Sequence, residues 1–235
     1  MWDGFCVTME SLACFNFEMA RRVVMRFDHI IWDLDGTLFD TYPPLITSIE
    51  RALGELEVTV PRAELVRLLS DTVAACMEAI SARYSLDPLD LEARVAYYQR
   101  QVTERDQPPF DGAICLCERF LKAGGQNLIF THRSQESVLR LLDWYRVEGL
   151  FVEYLTAEDG YARKPDPAGF NALIERHDLP RERVLAVGDR TLDIVAGRRA
   201  GISTCLFRGE PDPACPPDFT IASFDELRSI LRLPG

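Results

Sequence analysis

Short, mostly apolar runs recur along this chain, and the stretches between them carry the apolar spacing of helices. The runs are Phe27–Asp33, Asn127–Thr131, Tyr154–Thr156, Val184–Asp189 and Ser203–Phe207, with a weaker one at Phe219–Ile221 before a closing helix, Asp225–Leu231. Strands that alternate with helices build a parallel sheet covered on both faces, so the fold class expected is α/β. Ligands of such sheets bind beyond the carboxyl ends of the strands, and Asp33, Thr131 and Asp189 close three of the runs there.

The first run leads directly into Asp33-Leu34-Asp35-Gly36-Thr37. Residues two apart leave a strand on the same side, and Gly36 permits a sharp turn beyond them. Two carboxylates so placed can share one reaction, with one attacking a phosphorus atom while the other handles the proton. An acidic turn would use the same residue types. Three later segments favour chemistry: Thr131 and His132 after Leu128-Ile129-Phe130, then Lys164-Pro165-Asp166, and finally Gly188-Asp189 with Asp193 four residues on.

Gathered at one edge, Asp33, Asp35, Asp189 and Asp193 would repel one another. Each like-charge pair near 4 Å costs about 1 kcal/mol in bulk water and about 4 kcal/mol at an effective dielectric of 20. That expense makes sense around a hard divalent cation, and Lys164 would offset part of the charge.

These four segments, in this order, resemble the motifs of the haloacid dehalogenase superfamily of aspartate-nucleophile phosphohydrolases. Asp33 to Thr37 stands for the first motif, Thr131 for the second, Lys164 for the third, and Asp189 to Asp193 for the fourth. The resemblance covers nearly everything from Arg26 onward. It implies a Rossmann-like core, with Asp33 as nucleophile, Asp35 as acid and base, and Thr131 and Lys164 holding the phosphoryl group. It further implies Mg²⁺ held by Asp33, Asp35 through its backbone carbonyl, Asp189 and Asp193. His132 replaces the more common Asn after the second motif, and with Arg133 it is a candidate for contact with substrate. The acid/base position Asp35 is absent from the dehalogenase branch, which leaves phosphoryl transfer. A phosphatase resembling phosphoglycolate phosphatase is the first reading. A sugar phosphomutase resembling β-phosphoglucomutase is the second, and a catalytically idle scaffold the third.

Between the first two runs, residues 42–108 show helical periodicity and no strand signal, with candidate helices at Leu45–Leu56, Arg62–Tyr84 with a break, and Leu89–Thr103. Pro43 and Pro44 on one side and Pro108 and Pro109 on the other suggest hinge-like connections. This is the position of a small helical cap in the family, inserted into a core made of residues 25–41 and 109–235. Alternatively, these helices simply cover the sheet. Residues 1–24 carry no motif and are expected to be a dispensable extension.

Composition narrows the partners. A formal net charge of −11 disfavours nucleic acid, which is held by clustered Lys and Arg, but local charge in a cleft can still attract a small phosphorylated metabolite. No apolar run approaches the roughly 20 residues needed to cross a bilayer, so no membrane partner is expected. Seven cysteines, an odd number scattered through apolar segments, suit reduced thiols and a cytoplasmic location. Cys115 and Cys117 lie in a stretch that reads as a helix, where a spacing of two turns them about 200° apart and argues against a ligand pair. A monomer or homodimer is expected.

Overall fold

A computed structural model describes residues 25–69 and 72–233. Six strands, β1 (His29–Trp32), β2 (Gln126–Phe130), β3 (Phe151–Leu155), β4 (Val184–Gly188), β5 (Ser203–Phe207) and β6 (Phe219–Ile221), form one sheet in the order β3-β2-β1-β4-β5-β6. Every pairing is parallel. Side chains alternate across β1 with period two: Ile30 and Trp32 enter the core on one face and Ile31 the core on the other. The first face is closed by α5 (Ala113–Lys122), α6 (Gln135–Trp144) and α9 (Phe224–Leu231), which contribute Leu116, Phe120, Val138, Leu142 and Leu227. The second is closed by α7 (Ala168–Arg176) and α8 (Thr191–Arg199), through Phe170, Leu173 and Ala196. The α/β reading therefore holds, and the chain reverses its direction across the sheet at β1 and β4, which opens a crevice between their carboxyl ends.

The inserted segment is all helical: α1 (Tyr42–Glu55), α2 (Arg62–Leu68), α3 (Val73–Tyr84) and α4 (Pro88–Gln99). These helices pack around their own apolar cluster, which includes Ile49, Leu53, Leu65, Met77, Ile80 and Leu91. Thr72 caps α3 by accepting from the Ala75 amide, which explains the break foreseen inside 62–84.

Two expectations need correction. Pro43 and Pro44 do not lie in a hinge; they occupy the first turn of α1, where a missing amide hydrogen costs nothing. The connection to the cap is instead a short pairing of its two linkers, in which the Asp40 amide donates to the Pro108 carbonyl and the Phe110 amide to the Leu38 carbonyl. The third strand begins at Phe151 rather than Tyr154. Among the described residues it is an edge strand paired only with β2, and Glu153 interrupts the apolar run that Phe151 and Val152 begin.

Cys115 is exposed and Cys117 buried, in keeping with thiols on different faces of α5. Among the described residues no helix is long and apolar enough to cross a membrane. Residues 1–24, read as a dispensable extension, lie outside those described.

Asn127 is a polar residue inside β2 that the sheet uses as a clamp. Its side chain accepts from Trp32 Nε1 at 3.0 Å and donates to the Cys117 carbonyl at 3.0 Å and the Leu150 carbonyl at 3.2 Å. Asn127→Leu would leave an indole N–H and two carbonyls buried without these partners, and we expect a loss of about 2–4 kcal/mol in urea unfolding. An unchanged midpoint would show that the clamp contributes nothing.

Candidate active site

Asp33 follows β1 directly and remains in register, its amide donating to the Val187 carbonyl at 2.8 Å. Its side chain is buried, with Oδ1 accepting from Lys164 Nζ at 2.7 Å and Oδ2 lacking any hydrogen-bond partner among the described residues. Lys164 belongs to the loop between β3 and α7, and its Nζ also donates to the Phe130 carbonyl at 2.8 Å and lies 2.7 Å from Asp193 Oδ1. Asp193 sits in the first turn of α8 and accepts from the Arg190 amide with Oδ2 at 3.2 Å. Asp189, one residue beyond β4, accepts from the Tyr42 hydroxyl at 2.8 Å and the Thr37 hydroxyl at 3.3 Å. Oxygens of Asp33, Asp189 and Asp193 lie within 4.8 Å of one another.

Burial raises the Asp33 carboxyl above its ordinary value, and the Lys164 charge works against that rise. Asp189 is raised as well, first by burial and then by the charges of Asp33 and Asp193. Burial also penalises the Lys164 ammonium, but Asp193 and Asp33 outweigh it and hold the group above its ordinary value. Three carboxylates thus face Lys164 and Arg190, the two cations that these shifts identify as their neighbours. A hard cation fits this set: the oxygens converge and one Asp33 oxygen has no hydrogen-bond donor.

The Asp35 carboxylate does not join Asp33, Asp189 and Asp193 as the sequence pattern suggested. Asp35 stands apart from the cluster of three and pairs instead with Arg133, at 3.4 Å from Oδ1 to Nη1. Arg133 in turn donates to the Gln107 side chain, just ahead of Pro108. Thr131 is buried and its Oγ1 accepts from the Arg133 amide at 3.2 Å, which leaves the hydroxyl hydrogen to donate elsewhere. His132 accepts from the Lys164 amide through Nε2 at 3.0 Å, so a neutral imidazole pins the loop that carries the lysine.

These groups open into a cavity of about 550 Å³ between sheet and helices. Its floor is made of Asp33, Asp35, Thr131, His132 and Arg133, with Arg163 and Arg190 beside them. Its roof is α1, α3 and α4, which contribute Leu45, Val73, Ala74, Met77, Val95 and Ala96 together with Glu92 and Gln99.

The family described as haloacid dehalogenase-like hydrolase matches residues 30–207. The chain belongs to that family. Similar proteins include a phosphoglycolate phosphatase of Photobacterium profundum, 28% identical over 87% of this chain and 95% of the relative. Another, from Haemophilus influenzae and also named phosphoglycolate phosphatase, is 30% identical over 88% of this chain and 99% of its own. Among solved structures, a haloacid dehalogenase-like family protein of Streptococcus pneumoniae superposes with a TM-score of 0.71 at 18% identity, covering 87% of this chain and 98% of the other.

Within this family frame, sequence reasoning missed three residues of the site. Arg190 stood in plain view between two motif carboxylates, and its charge lies beside Asp33, Asp189 and Asp193. Tyr42 and Gln107 carried no signal, because they sit at the two ends of the cap and reach the site only through the folded linkers.

His132 gives the site a measurable pH dependence. Burial, helped by Lys164 and Arg163, pushes its imidazole down to about 4. The unfolded chain takes up this proton near the ordinary value of about 6.5. Its contribution to stability is therefore complete above about 6.5 and drains away as pH falls toward 4, because only the unfolded state binds the proton in that window. His132→Gln should flatten the stability curve between those pH values by at most about 1.4 kcal/mol per unit relative to the parent protein. Equal slopes in urea titrations at several pH values would contradict the neutral imidazole.

Proposed function

We propose that the protein is a Mg²⁺-dependent phosphatase that hydrolyses a small phosphomonoester through an aspartyl phosphate on Asp33. The observation that carries this reading is a buried carboxylate lining the cavity, with one oxygen on Lys164 and the other without a hydrogen-bond donor, two residues before a second carboxylate. The relatives' names agree with it.

In this reading residues 42–108 are the cap that covers the substrate, and 25–41 with 109–235 are the catalytic body. Asp33, Asp189 and the backbone carbonyl of Asp35 would hold Mg²⁺, with Asp193 in support because its oxygens already face Lys164 and the Arg190 amide. Bound there, Mg²⁺ offsets the negative charge between Asp33 and the phosphoryl oxygens.

A carboxylate oxygen of Asp33 attacks phosphorus in line, the bond to the alcohol oxygen breaks, and Asp35 gives that oxygen a proton. Asp35 then takes a proton from water as the water oxygen attacks the same phosphorus, releasing inorganic phosphate and restoring Asp33. Arg133 holds Asp35 toward this exchange. The Thr131 hydroxyl donates to a phosphoryl oxygen, the Lys164 ammonium supplies positive charge behind Asp33 while its own hydrogens stay on Asp33, Asp193 and the Phe130 carbonyl, and His132 positions Lys164 through its amide.

Asp33→Asn should lower phosphate release by at least about a thousandfold while keeping the fold, because the amide keeps the shape without the nucleophile. Asp35→Asn should slow esters with poor leaving groups most. Mg²⁺ should restore chelated protein, whereas Ca²⁺, with its looser and higher coordination, should not. Full turnover by folded Asp33→Asn would sink the assignment. Isomerisation of a sugar phosphate without phosphate release would favour the mutase.

A further inference from the structure

The cavity has two chemically opposite ends. Its floor gathers the cations Arg133, Arg163 and Arg190 around the carboxylates. Its roof is the aliphatic wall of Leu45, Val73, Ala74, Met77, Val95 and Ala96, and among the described residues the one charge the cap adds to the lining is negative, Glu92. Among the described residues no arginine of the cap lines the cavity. Arg62 pairs with Glu50, Arg83 with Glu64, Arg94 with Glu55 and Asp90, and Arg51 lies over the Tyr98 ring.

A carboxylate at the roof would meet aliphatic carbon and a like charge, with no cation to replace its hydration. Arg133, which is held by Asp35 and Gln107, and Arg163 belong to the floor, the end that takes the phosphoryl group. Arg190 is turned to the carboxylate cluster at the opposite end. The volume of about 550 Å³ also falls in the range of sites that enclose substantial apolar ligands, about 300–1,000 Å³, rather than one two-carbon acid.

We propose, resting on the phosphatase reading above, that the preferred substrate is the phosphomonoester of an uncharged, apolar alcohol. The roof excludes an anionic tail such as that of 2-phosphoglycolate. Phosphate binds at the cationic floor, and the alcohol carbon skeleton packs on α1, α3 and α4. Ala74 and Glu92 set the choice, because they are exposed on the wall and a change of charge there reaches the tail without disturbing the apolar cluster beneath.

The test is steady-state kcat/KM, with Mg²⁺ present, on three compounds: the acyl phosphate acetyl phosphate and the phosphomonoesters n-hexyl phosphate and 2-phosphoglycolate. Acetyl phosphate is small and activated, so it reports phosphoryl transfer with little demand on the roof. We expect n-hexyl phosphate to exceed 2-phosphoglycolate by about tenfold or more, the scale of discrimination that apolar pockets reach. Ala74→Lys and Glu92→Gln should each move that ratio toward 2-phosphoglycolate, Ala74→Lys the further, with circular dichroism unchanged. If acetyl phosphate is hydrolysed but 2-phosphoglycolate equals or exceeds n-hexyl phosphate, the inference is overturned and the phosphatase reading stands. If folded Ala74→Lys and Glu92→Gln leave the ratio where it was, the roof does not select the tail and the inference is likewise overturned. Absence of turnover on all three removes the phosphatase reading itself, and the inference with it.

Discussion

The ammonium of Lys164 is the contact on which the site depends. It joins the end of β1 through Asp33, the end of β2 through the Phe130 carbonyl, and the first turn of α8 through Asp193. Each partner belongs to a different crossover of the sheet, so the lysine fixes three separately built segments relative to one another. Buried charges are expensive to desolvate, and a single ammonium between two carboxylates does not balance them. Further positive charge nearby offsets what the ammonium leaves. Arg190 supplies some of it, and a divalent cation would complete it.

Much of this was legible in the sequence, for a physical reason. Interior strands of a parallel sheet are buried on both faces, so β1, β2, β4 and β5 read as apolar runs whose last residues are placed by the sheet itself. Asp33, Thr131 and Asp189 could be located because their positions follow from local pattern. Lys164 sits on a loop, and only its likeness to a family motif drew attention to it. Less could be read where contacts are long-range. The pairing of Asp35 with Arg133 and the hydrogen bond from the Lys164 amide to His132 join segments roughly 100 and 32 residues apart, and neither leaves a periodic trace. His132 and Arg133 looked like candidates for substrate contact; folding engages one with the lysine loop and the other with Asp35, while both still line the cavity.

The cap is tied to the chemistry at both of its ends. On the leading side Tyr42, the first residue of α1, donates to Asp189. On the trailing side Gln107 accepts from Arg133, which holds Asp35. The two linkers also pair with each other through Asp40 and Pro108. Any rotation of these helices about the linkers would therefore move Asp189 and, through Arg133, Asp35 together.

Gly36 is where these demands meet in one volume. Its φ of +78° is the left-handed turn that carries the chain from Asp33 toward the inserted helices. A Cβ placed there would lie 2.4 Å from Tyr42 Cε2 and 2.5 Å from Asp189 Oδ2, closer than carbon and oxygen atoms can approach. Neither neighbour can give way cheaply, since moving the ring breaks the Tyr42 hydrogen bond and moving the carboxylate spreads the cluster around Asp33. The glycine is thus required twice, once for the backbone angle and once for the space. The second requirement arises only because the first residue of the cap and a carboxylate from the far side of β1 share the same few ångströms above the turn.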